Sequence, residues 1–509
     1  MFQERDKMDD PEASDRLGNL GSWLVEHRIL LLILLIAAII RLYGLSFESF
    51  WLDEAMTGLR ARMGYVDMLD SFAYKDHVPF YFSMIWVWGK VFGTSAVSLR
   101  MPSVIFGILT IIPIYLIGNG FSKRTGQYAA LITAIIPTLV YFSQEARMYS
   151  FMVFLSSLSI HFLLKSLKTE TRRKMIFRLL FLTSNMILVF THYYGLVFIG
   201  MECISIFLIV LFRSHTNGRT KVLDILKEIW PAVISILSIV PWLVFIKIRY
   251  PGTEQTTGGG LTLSGELIFN LYLFLGGYYR LFYDRTMGLT LITGLILFIL
   301  AIFGIMLIMI KFFKKRERGN EMFVLLPLVV LPPVMIYSVS LYWQNLFNYR
   351  YFLFMSSAYI VLSTVPLTMK WTDAVKNSRL GKLSTIVAIS SICLLLLASN
   401  YNMIERQDKD DWGGAVEFIC DNQGDNDLVI PQPAHYRYAI FYYSDELTVR
   451  SISDNSRNVS DLFDKYDAIW VITFHYRDID RYGFTRYLDN WSREDYDDFN
   501  GLNLRKYWK

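Results

Sequence analysis

The chain is poor in cysteine and in charged residues. Only three of its 509 residues are cysteine, which excludes a disulfide framework and a cysteine-based zinc site. Charged residues make up 19% of the sequence, below the roughly 25% that is usual for a soluble domain. In contrast, 53% of the residues are hydrophobic and 16% are aromatic. This balance indicates a polytopic membrane protein.

Three further features are lacking. No basic stripe with interleaved aromatic residues occurs, so we expect no nucleic-acid partner. The first twenty residues are charged and have no small-residue cleavage site after an apolar run, so we expect the first hydrophobic segment to remain as an anchor. No repeat with a period of about 20–50 residues is evident, which argues against a solenoid.

What the sequence does contain is thirteen apolar runs, many of them near the length of about 20 residues that a membrane-spanning helix needs. Cytoplasmic loops carry an excess of Lys and Arg, and five basic clusters fall on one side if the runs 79–93 and 267–283 do not cross. We therefore predict eleven spans, with these two runs as interfacial or re-entrant helices. The predicted spans are 24–43, 100–119, 125–142, 149–165, 176–191, 194–212, 229–248, 288–310, 322–342, 351–369 and 383–400.

This topology divides the chain into three parts. Residues 1–23 form a cytoplasmic tail, residues 24–400 an all-α transmembrane domain with a long first outer loop at 44–99, and residues 401–509 an extracytoplasmic domain. The last part has 13 basic and 21 acidic residues, whereas the rest of the chain has 37 and 24. Two strand–helix alternations predict that the outer domain is a small α/β unit. Its predicted strands are 427–431 and 468–473, and its predicted helices are 415–420 and 436–443.

The first outer loop carries two pairs of ionisable residues. Asp53 and Glu54 lie shortly after a span, where a carboxylate can act as a general base at the membrane surface. A solvated acid pair is the plainer and more common interpretation. Asp76 and His77 lead into an aromatic segment, where they would bind an anionic headgroup or, more simply, anchor a helix at the interface.

Cations on the outer side run against the positive-inside bias and need another reason. We expect most of them to pair with acids of the outer loops. Arg147 and Arg350 differ because each lies at the boundary of a span, where an arginine can bind a phosphate bidentately. Glu202 lies inside an apolar run and is either a functional carboxylate or a structural hydrogen-bond partner.

The ordered motifs resemble the GT-C superfamily of polytopic glycosyltransferases over roughly residues 24–370. The resemblance is closest to the group of dolichyl-phosphate-mannose protein mannosyltransferases and the bacterial transferases that modify lipid A with aminoarabinose or core sugars. One departure is Val78, which stands where the group usually has the first of two prolines. The motifs are Trp-Leu-Asp-Glu at 51–54, Asp-His-x-Pro at 76–79, Phe-Gly-x-Ser-x-x-x-Leu-Arg-x-Pro-Ser at 92–103, Ser-Gln-Glu-Ala-Arg-Met-Tyr at 143–149, His-Tyr-Tyr-Gly at 192–195 and Arg-Tyr at 350–351.

The resemblance implies transfer of a sugar from a polyprenyl-phosphate carrier to an acceptor hydroxyl at the extracytoplasmic face, with inversion at the anomeric carbon. Asp53 matches the carboxylate that deprotonates the acceptor, and Glu54 completes the Asp-Glu pair. The implied partners are the lipid-linked donor, a protein, glycan or lipid acceptor, and membrane lipid. The implied substrate-binding residues are Asp76, His77, Glu145, Arg147, Tyr149, His192, Arg350 and Tyr351.

Two other functions stay open at this point. A lipid or solute transporter or flippase would concentrate polar groups at the bilayer midplane, where only Glu202 fits. An oligosaccharide transferase would use a pyrophosphate carrier, and a divalent-metal requirement would favour it. We expect no metal and no other cofactor. The expected location is a prokaryotic plasma membrane.

Overall fold

Helices dominate the chain up to residue 405, and a small sheet follows. The computed structural model describes residues 11–72, 77–170, 172–213, 218–250, 287–315, 320–342, 348–368, 379–405, 409–452, 463–474, 485–496 and 499–509. A 3-10 helix, Tyr349–Met355, precedes the helix Ser356–Thr368. The helices of the first part are α1 (Pro11–Leu42), α2 (Leu52–Arg62), α3 (Tyr65–Asp70), α4 (Pro79–Phe92), α5 (Ala96–Leu109), α6 (Ile111–Asn119), α7 (Lys123–Ile135), α8 (Pro137–Ser143), α9 (Tyr149–Lys168), α10 (Arg173–Val189), α11 (Tyr194–Arg213), α12 (Gly218–Ser238), α13 (Val240–Arg249), α14 (Met287–Lys315), α15 (Asn320–Tyr342), α16 (Ser356–Thr368) and α17 (Arg379–Glu405).

The apolar helices make the chain a multi-pass membrane protein. Within the described residues, eight helical segments are long and apolar enough to cross a membrane, and the bent pair α7–α8 raises this number to nine. The other two of the eleven predicted spans lie in α1 and in α10, which has 17 residues. The run 79–93 forms the 14-residue helix α4, and the run 267–283 lies outside the described residues.

Side-chain contacts join helix segments that lie beside the basic clusters of the sequence. They connect the cluster after α9 to the start of α15 and to α12, and the start of α7 to the end of α16. These contacts agree with a common side for the clusters, whereas the choice of the cytoplasmic side stays a prediction from the positive-inside rule. The pairs are Lys168–Glu321, Lys174–Glu228 at 2.7 Å and Thr125–Thr368 at 2.7 Å.

A buried arginine stabilises the bend between α7 and α8. The two helices meet at 56°, where Pro137 lacks an N–H group and leaves the carbonyl of Thr133 without its helical partner. Arg41 is fully buried at the end of α1 and donates to the carbonyls of Thr133 at 3.0 Å and Ala134 at 2.7 Å. An unsatisfied carbonyl in hydrocarbon costs several kcal/mol. The bend therefore persists, and α8 leads into the turn 144–148, which carries two candidate site residues.

The outer part of the chain is a small α/β domain. Its helices are α18 (Trp412–Asn422) and α19 (Arg437–Tyr443), and its strands are β1 (Asp427–Pro431), β2 (Ala468–Phe474), β3 (Ser492–Tyr496) and β4 (Leu502–Trp508). The sheet order is β1-β2-β4-β3, with β1 parallel to β2 and the other pairs antiparallel. The predicted helices and strands correspond to α18, α19, β1 and β2. The sequence does not predict β3, because this strand is a mostly exposed, polar edge strand without apolar alternation. It does not predict β4 either.

Candidate active site

The candidate catalytic carboxylate lies at the start of a short helix. Helix α2 begins at Leu52, so Asp53 and Glu54 occupy its first turn, where the helix dipole favours negative charge. Consecutive residues of a helix point about 100° apart, so the two carboxylates face different surroundings. The side chain of Asp53 is 30% exposed, whereas that of Glu54 is completely buried.

Two arginines from distant segments converge on Asp53. Nη1 of Arg350 lies 3.5 Å from Oδ2 of Asp53, and Nη2 of Arg147 lies 3.7 Å from the same oxygen. The guanidinium of Arg350 also lies over the ring of Trp51, 4.7 Å from its centroid. Both ion-pair distances exceed the roughly 2.7–2.9 Å of a charge-assisted hydrogen bond. The carboxylate is therefore held loosely, and an anionic ligand has two guanidinium groups to bind.

Arg147 is buried on the turn between α8 and α9. The hydroxyl of Ser103 donates to its carbonyl at 3.1 Å, which fixes the backbone of the turn. Its Nη1 donates to the carbonyl of Asp53 and to the hydroxyl of Thr57, both at 3.4 Å. A buried charge needs such partners. The turn thus presents a cation to the start of α2 in a defined orientation.

Glu54 is held far more tightly than Asp53. Nε and Nη2 of Arg100 each lie 2.8 Å from one of its oxygens, Nζ of Lys409 lies at 3.0 Å, and the N–H of Ala146 donates at 2.8 Å. Burial raises the pKa of the Glu54 carboxyl, but Arg100 and Lys409 outweigh burial and lower this pKa to about 2. A carboxylate that binds protons so weakly and has so many donors is suited to anchoring α2, and is a poor base.

Three candidate residues form one aromatic cluster. The ring centroids of His192 and Tyr351 lie 5.0 Å apart, and those of Tyr149 and His192 lie 6.4 Å apart. Nδ1 of His192 accepts a hydrogen bond from the N–H of Tyr194 at 3.1 Å, which places the ring proton on Nε2. Burial, and then Arg147, lowers the pKa of His192 to about 3. The cluster is therefore neutral at physiological pH.

The second motif of the first loop is only partly described. Asp76 lies outside the described residues, and His77 precedes α4. The hydroxyl of Tyr193 donates to the carbonyl of His77 at 3.4 Å, and the rings of His77 and Phe82 lie 5.0 Å apart. Burial and the charge of Arg147 lower the pKa of His77 well below its usual range. His77 is thus a neutral ring connected to the His192 turn.

Glu145 is fully buried on the turn that carries Arg147. Burial raises the pKa of its carboxyl, although Lys409 and Arg350 act in the opposite direction. This shift favours the protonated form more than in a solvated glutamate. Glu145 therefore neutralises the charge of the nearby cations less than a fully ionised glutamate would.

Sequence reasoning names neither of the two residues that hold Glu54 as its partner. Arg100 belongs to the motif at 92–103 and to the outer cations that are expected to pair with acids of the outer loops, and the structure pairs it with Glu54. Lys409 carries no signal at all, since it is one lysine in an acidic segment, 355 positions from its partner. Glu202 accepts hydrogen bonds from Ser159 and Asn185, both at 2.7 Å, which fits a structural role.

Among the described residues, the ionic partners of Asp53 are guanidinium nitrogens, which donate hydrogen bonds and have no lone pair to offer a metal. Across the part of the chain that the structure describes, no three His, Cys, Asp or Glu side chains lie close enough together to hold a metal ion.

Comparisons with known proteins identify the fold. A family described as dolichyl-phosphate-mannose-protein mannosyltransferase matches residues 76–245. The apo structure of ArnT from Cupriavidus metallidurans has a TM-score of 0.61 with this chain, at 12% identity, covering 96% of this chain and 98% of that chain. The chain has the GT-C fold.

Two further structures share the GT-C fold. ArnT bound to undecaprenyl phosphate has a TM-score of 0.60, at 11% identity, covering 94% of this chain and 98% of that chain. The apo oligosaccharyltransferase of Archaeoglobus fulgidus has a TM-score of 0.54, at 15% identity, covering 89% of this chain and 70% of that chain. No curated protein matches the sequence. At these identities the likeness concerns the GT-C fold alone.

Proposed function

We propose that the protein is a membrane glycosyltransferase that transfers a sugar from a polyprenyl-phosphate carrier to an acceptor hydroxyl at the extracytoplasmic face. The observation that supports this most is the meeting of Asp53 with Arg350 and Arg147, at 3.5 and 3.7 Å. This arrangement combines a partly exposed base with two groups suited to a phosphate. Both are needed where a lipid-linked sugar phosphate reacts with a hydroxyl.

In the proposed reaction, Asp53 takes the proton of the acceptor hydroxyl as the oxygen attacks the anomeric carbon. The new C–O bond forms on the face opposite the phosphate while the old C–O bond breaks, so the configuration inverts. The electron pair of the broken bond leaves with the polyprenyl phosphate, and Arg147 and Arg350 stabilise the added negative charge. Because the leaving group is already a phosphate, it needs cations more than an acid.

The remaining site residues are proposed to surround these two functions. The neutral cluster of Tyr149, His192 and Tyr351 adjoins Arg147 and offers rings and a ring N–H to the sugar or the carrier. Asp76 and His77 are proposed to lie near the carrier phosphate. Glu54 holds the helix on which Asp53 lies, and Glu145 lies buried on the turn that carries Arg147.

The comparisons agree with the proposed class of donor. The matching family is described by dolichyl-phosphate-mannose, one ArnT structure contains undecaprenyl phosphate, and a structure of the archaeal oligosaccharyltransferase contains dolichol-phosphate and an inhibitory peptide. Each of these carriers is a polyprenyl phosphate. The proposed acceptor is a protein, a glycan or a lipid. Experiment will have to identify the sugar.

We also propose that the N-terminus is cytoplasmic and that the α/β domain is extracytoplasmic. The contacts among the basic clusters support this topology, because the rule that places such clusters in the cytoplasm then applies to one end of the bundle. The site belongs to the opposite set of loops, where an acceptor outside the cell has access.

The test is sugar transfer by the purified wild-type protein with a panel of polyprenyl-phosphate sugars, using membrane extract as the source of acceptors. Asp53→Asn is the test variant, and Asp70→Asn in the same loop is the control, since Asp70 forms an exposed pair with Arg249. We expect transfer by the wild type and the control, and its loss in Asp53→Asn. Near-normal transfer by Asp53→Asn would contradict the role of Asp53, and a folded wild type that uses no donor would contradict the function.

The same assay separates the phosphate from the pyrophosphate carrier. Donors of both kinds are supplied, with a chelator or with added divalent metal. Transfer from the phosphate donors in the presence of the chelator supports the proposal. Use of pyrophosphate donors alone, with a metal requirement, would replace it by an oligosaccharide transferase.

A further inference from the structure

We propose that the outer domain orients the helix that carries Asp53, and that Lys409 is the positioning residue through which it does so. This inference rests on the proposed function, because it concerns the orientation of Asp53. Lys409 lies where the outer domain begins, and its side chain is 5% exposed. It contacts Glu54, the immediate neighbour of Asp53 on α2.

The contacts of Lys409 connect the outer domain to two segments around the site. Its Nζ lies 3.0 Å from Oε2 of Glu54 and donates to the carbonyl of Gln144 at 3.4 Å. Its backbone N–H donates to Oε1 of Glu48 at 2.8 Å, and its carbonyl accepts from Nδ2 of Asn500 at 3.1 Å. One residue thus joins the first loop, the Arg147 turn and the segment before β4.

The side chains of Glu54 and Asp53 on α2 differ in how closely their partners approach. Glu54 has contacts of 2.8 to 3.0 Å with Arg100, Lys409 and Ala146. Asp53 has ion pairs of only 3.5 and 3.7 Å. Because a helix turns as a rigid body, the well-held Glu54 determines the direction in which Asp53 points.

A second contact supports the same connection. The ring of Tyr442 in α19 packs against Gly58, where a Cβ atom would lie 2.4 Å from a ring carbon. Nη1 of Arg62 donates to the carbonyl of Tyr442 at 2.7 Å, and the ring of Phe50 stacks on that of Tyr442 at 5.0 Å. The outer domain therefore contacts α2 at its start, middle and end.

Burying a lysine costs desolvation free energy, which pairing with acidic groups must offset. Arg100 already pairs with Glu54 through two bonds of 2.8 Å, and the charge of Lys409 is shared with a second acid, Glu48, whose Oε2 lies 3.9 Å from its Nζ. The lysine adds a fixed link between the domain and the helix. A misplacement of about 1 Å at a reacting group can cost roughly 100-fold in rate, so loss of this link should appear in kcat.

The experiment compares Lys409→Met with Lys409→Arg and with the control Lys506→Met. Lys506 is a lysine of the same domain, and its Nζ lies over the ring of Trp470, 4.5 Å from the centroid. Its described polar contacts are with the outer domain and not with α2. For each variant we would measure kcat and the donor KM for transfer, donor binding, and the Tm of the purified protein. Rates are expressed per folded, donor-binding molecule.

We expect Lys409→Met to lower kcat at least about 10-fold with a donor KM within about 2-fold of wild type. Lys409→Arg should recover part of the loss, and Lys506→Met should keep the wild-type kcat. A Lys409→Met protein with wild-type kcat per folded molecule would overturn the inference, whatever its Tm. If Lys409→Met does not fold, Gly58→Ala tests the second contact between the outer domain and α2, that of Tyr442, and should lower kcat in the same way. A normal kcat for this variant would overturn the inference that the outer domain positions α2.

Failure of the proposed function gives a different result. In that case the wild-type protein transfers no sugar, so no variant has a rate to compare. Activity in the wild type, loss in Asp53→Asn and no effect of Lys409→Met would retain the function and remove only the positioning role.

Discussion

Asp53 and Glu54 are chemically similar neighbours on one helical turn, yet they meet opposite surroundings. Asp53 is 30% exposed and has two guanidinium groups at 3.5 and 3.7 Å, whereas Glu54 is buried with donors at 2.8 to 3.0 Å. Environment, more than residue type, separates the roles of paired carboxylates. The comparison assigns reactivity to the loosely held acid and anchoring to the tightly held one.

The strongest way to break this comparison is Asp53→Asn. We expect transfer to fall about 100- to 10,000-fold, the range that a general base contributes, with little change in Tm because the side chain is partly exposed. The measurement is kcat for transfer together with a thermal melt. A large drop in Tm with normal kcat would reverse the roles that the comparison assigns.

Glu54→Gln should show the converse pattern. Breaking a buried ion pair by removing one partner costs about 3–5 kcal/mol, so we expect a strong decrease in the free energy of unfolding. Asp70→Asn, which breaks the exposed pair with Arg249, should leave the Tm nearly unchanged. Equal Tm values for the two variants would show that the buried network does not anchor α2.

Arg350→Ala tests whether the guanidinium groups around Asp53 bind the donor. A hydrogen bond to a charged group contributes about 1.5–3 kcal/mol, so donor affinity should weaken roughly 10- to 100-fold. Because the Arg350 side chain is 22% exposed, the fold should tolerate the change. Donor binding measured by titration checks this, with Arg249→Ala as the control. An unchanged donor affinity would remove Arg350 from the site.

A further expected effect is on the pH dependence of stability. The pKa of Glu54 falls to about 2 in the folded protein, below its usual 4.5, so its contribution is complete above pH 4.5 and is lost as the pH falls towards 2. The pKa of His192 falls from 6.5 to about 3, so the unfolded chain takes up its proton first and stability declines below pH 6.5.

The measurement is Tm between pH 7.5 and 3.5. We expect a decline on acidification, a shallower slope for His192→Gln above pH 4.5, and a flatter curve for Glu54→Gln below it. A wild-type Tm that rises as the pH falls through this range would contradict both pKa directions.

Much of the membrane part could be predicted, because hydropathy and charge act locally along the chain. The eleven predicted spans coincide with helical segments, and a 14-residue helix forms at 79–93, a run that the positive-inside rule excludes from the spans. The bend at Pro137 is different. Proline predicts a break, but only packing places Arg41 against the carbonyls that the break exposes.

The sequence by itself determined a multi-pass helical membrane protein with a small α/β domain, and its motifs and charge pattern point to Asp53, Arg147 and Arg350. Only the tertiary structure decided that Asp53 faces both arginines while Glu54 turns to Arg100 and to Lys409. The physical reason is that spans and motifs depend on neighbours in the chain. An ion pair between residues 355 positions apart depends on how the outer domain packs on the first loop, and no local pattern encodes that.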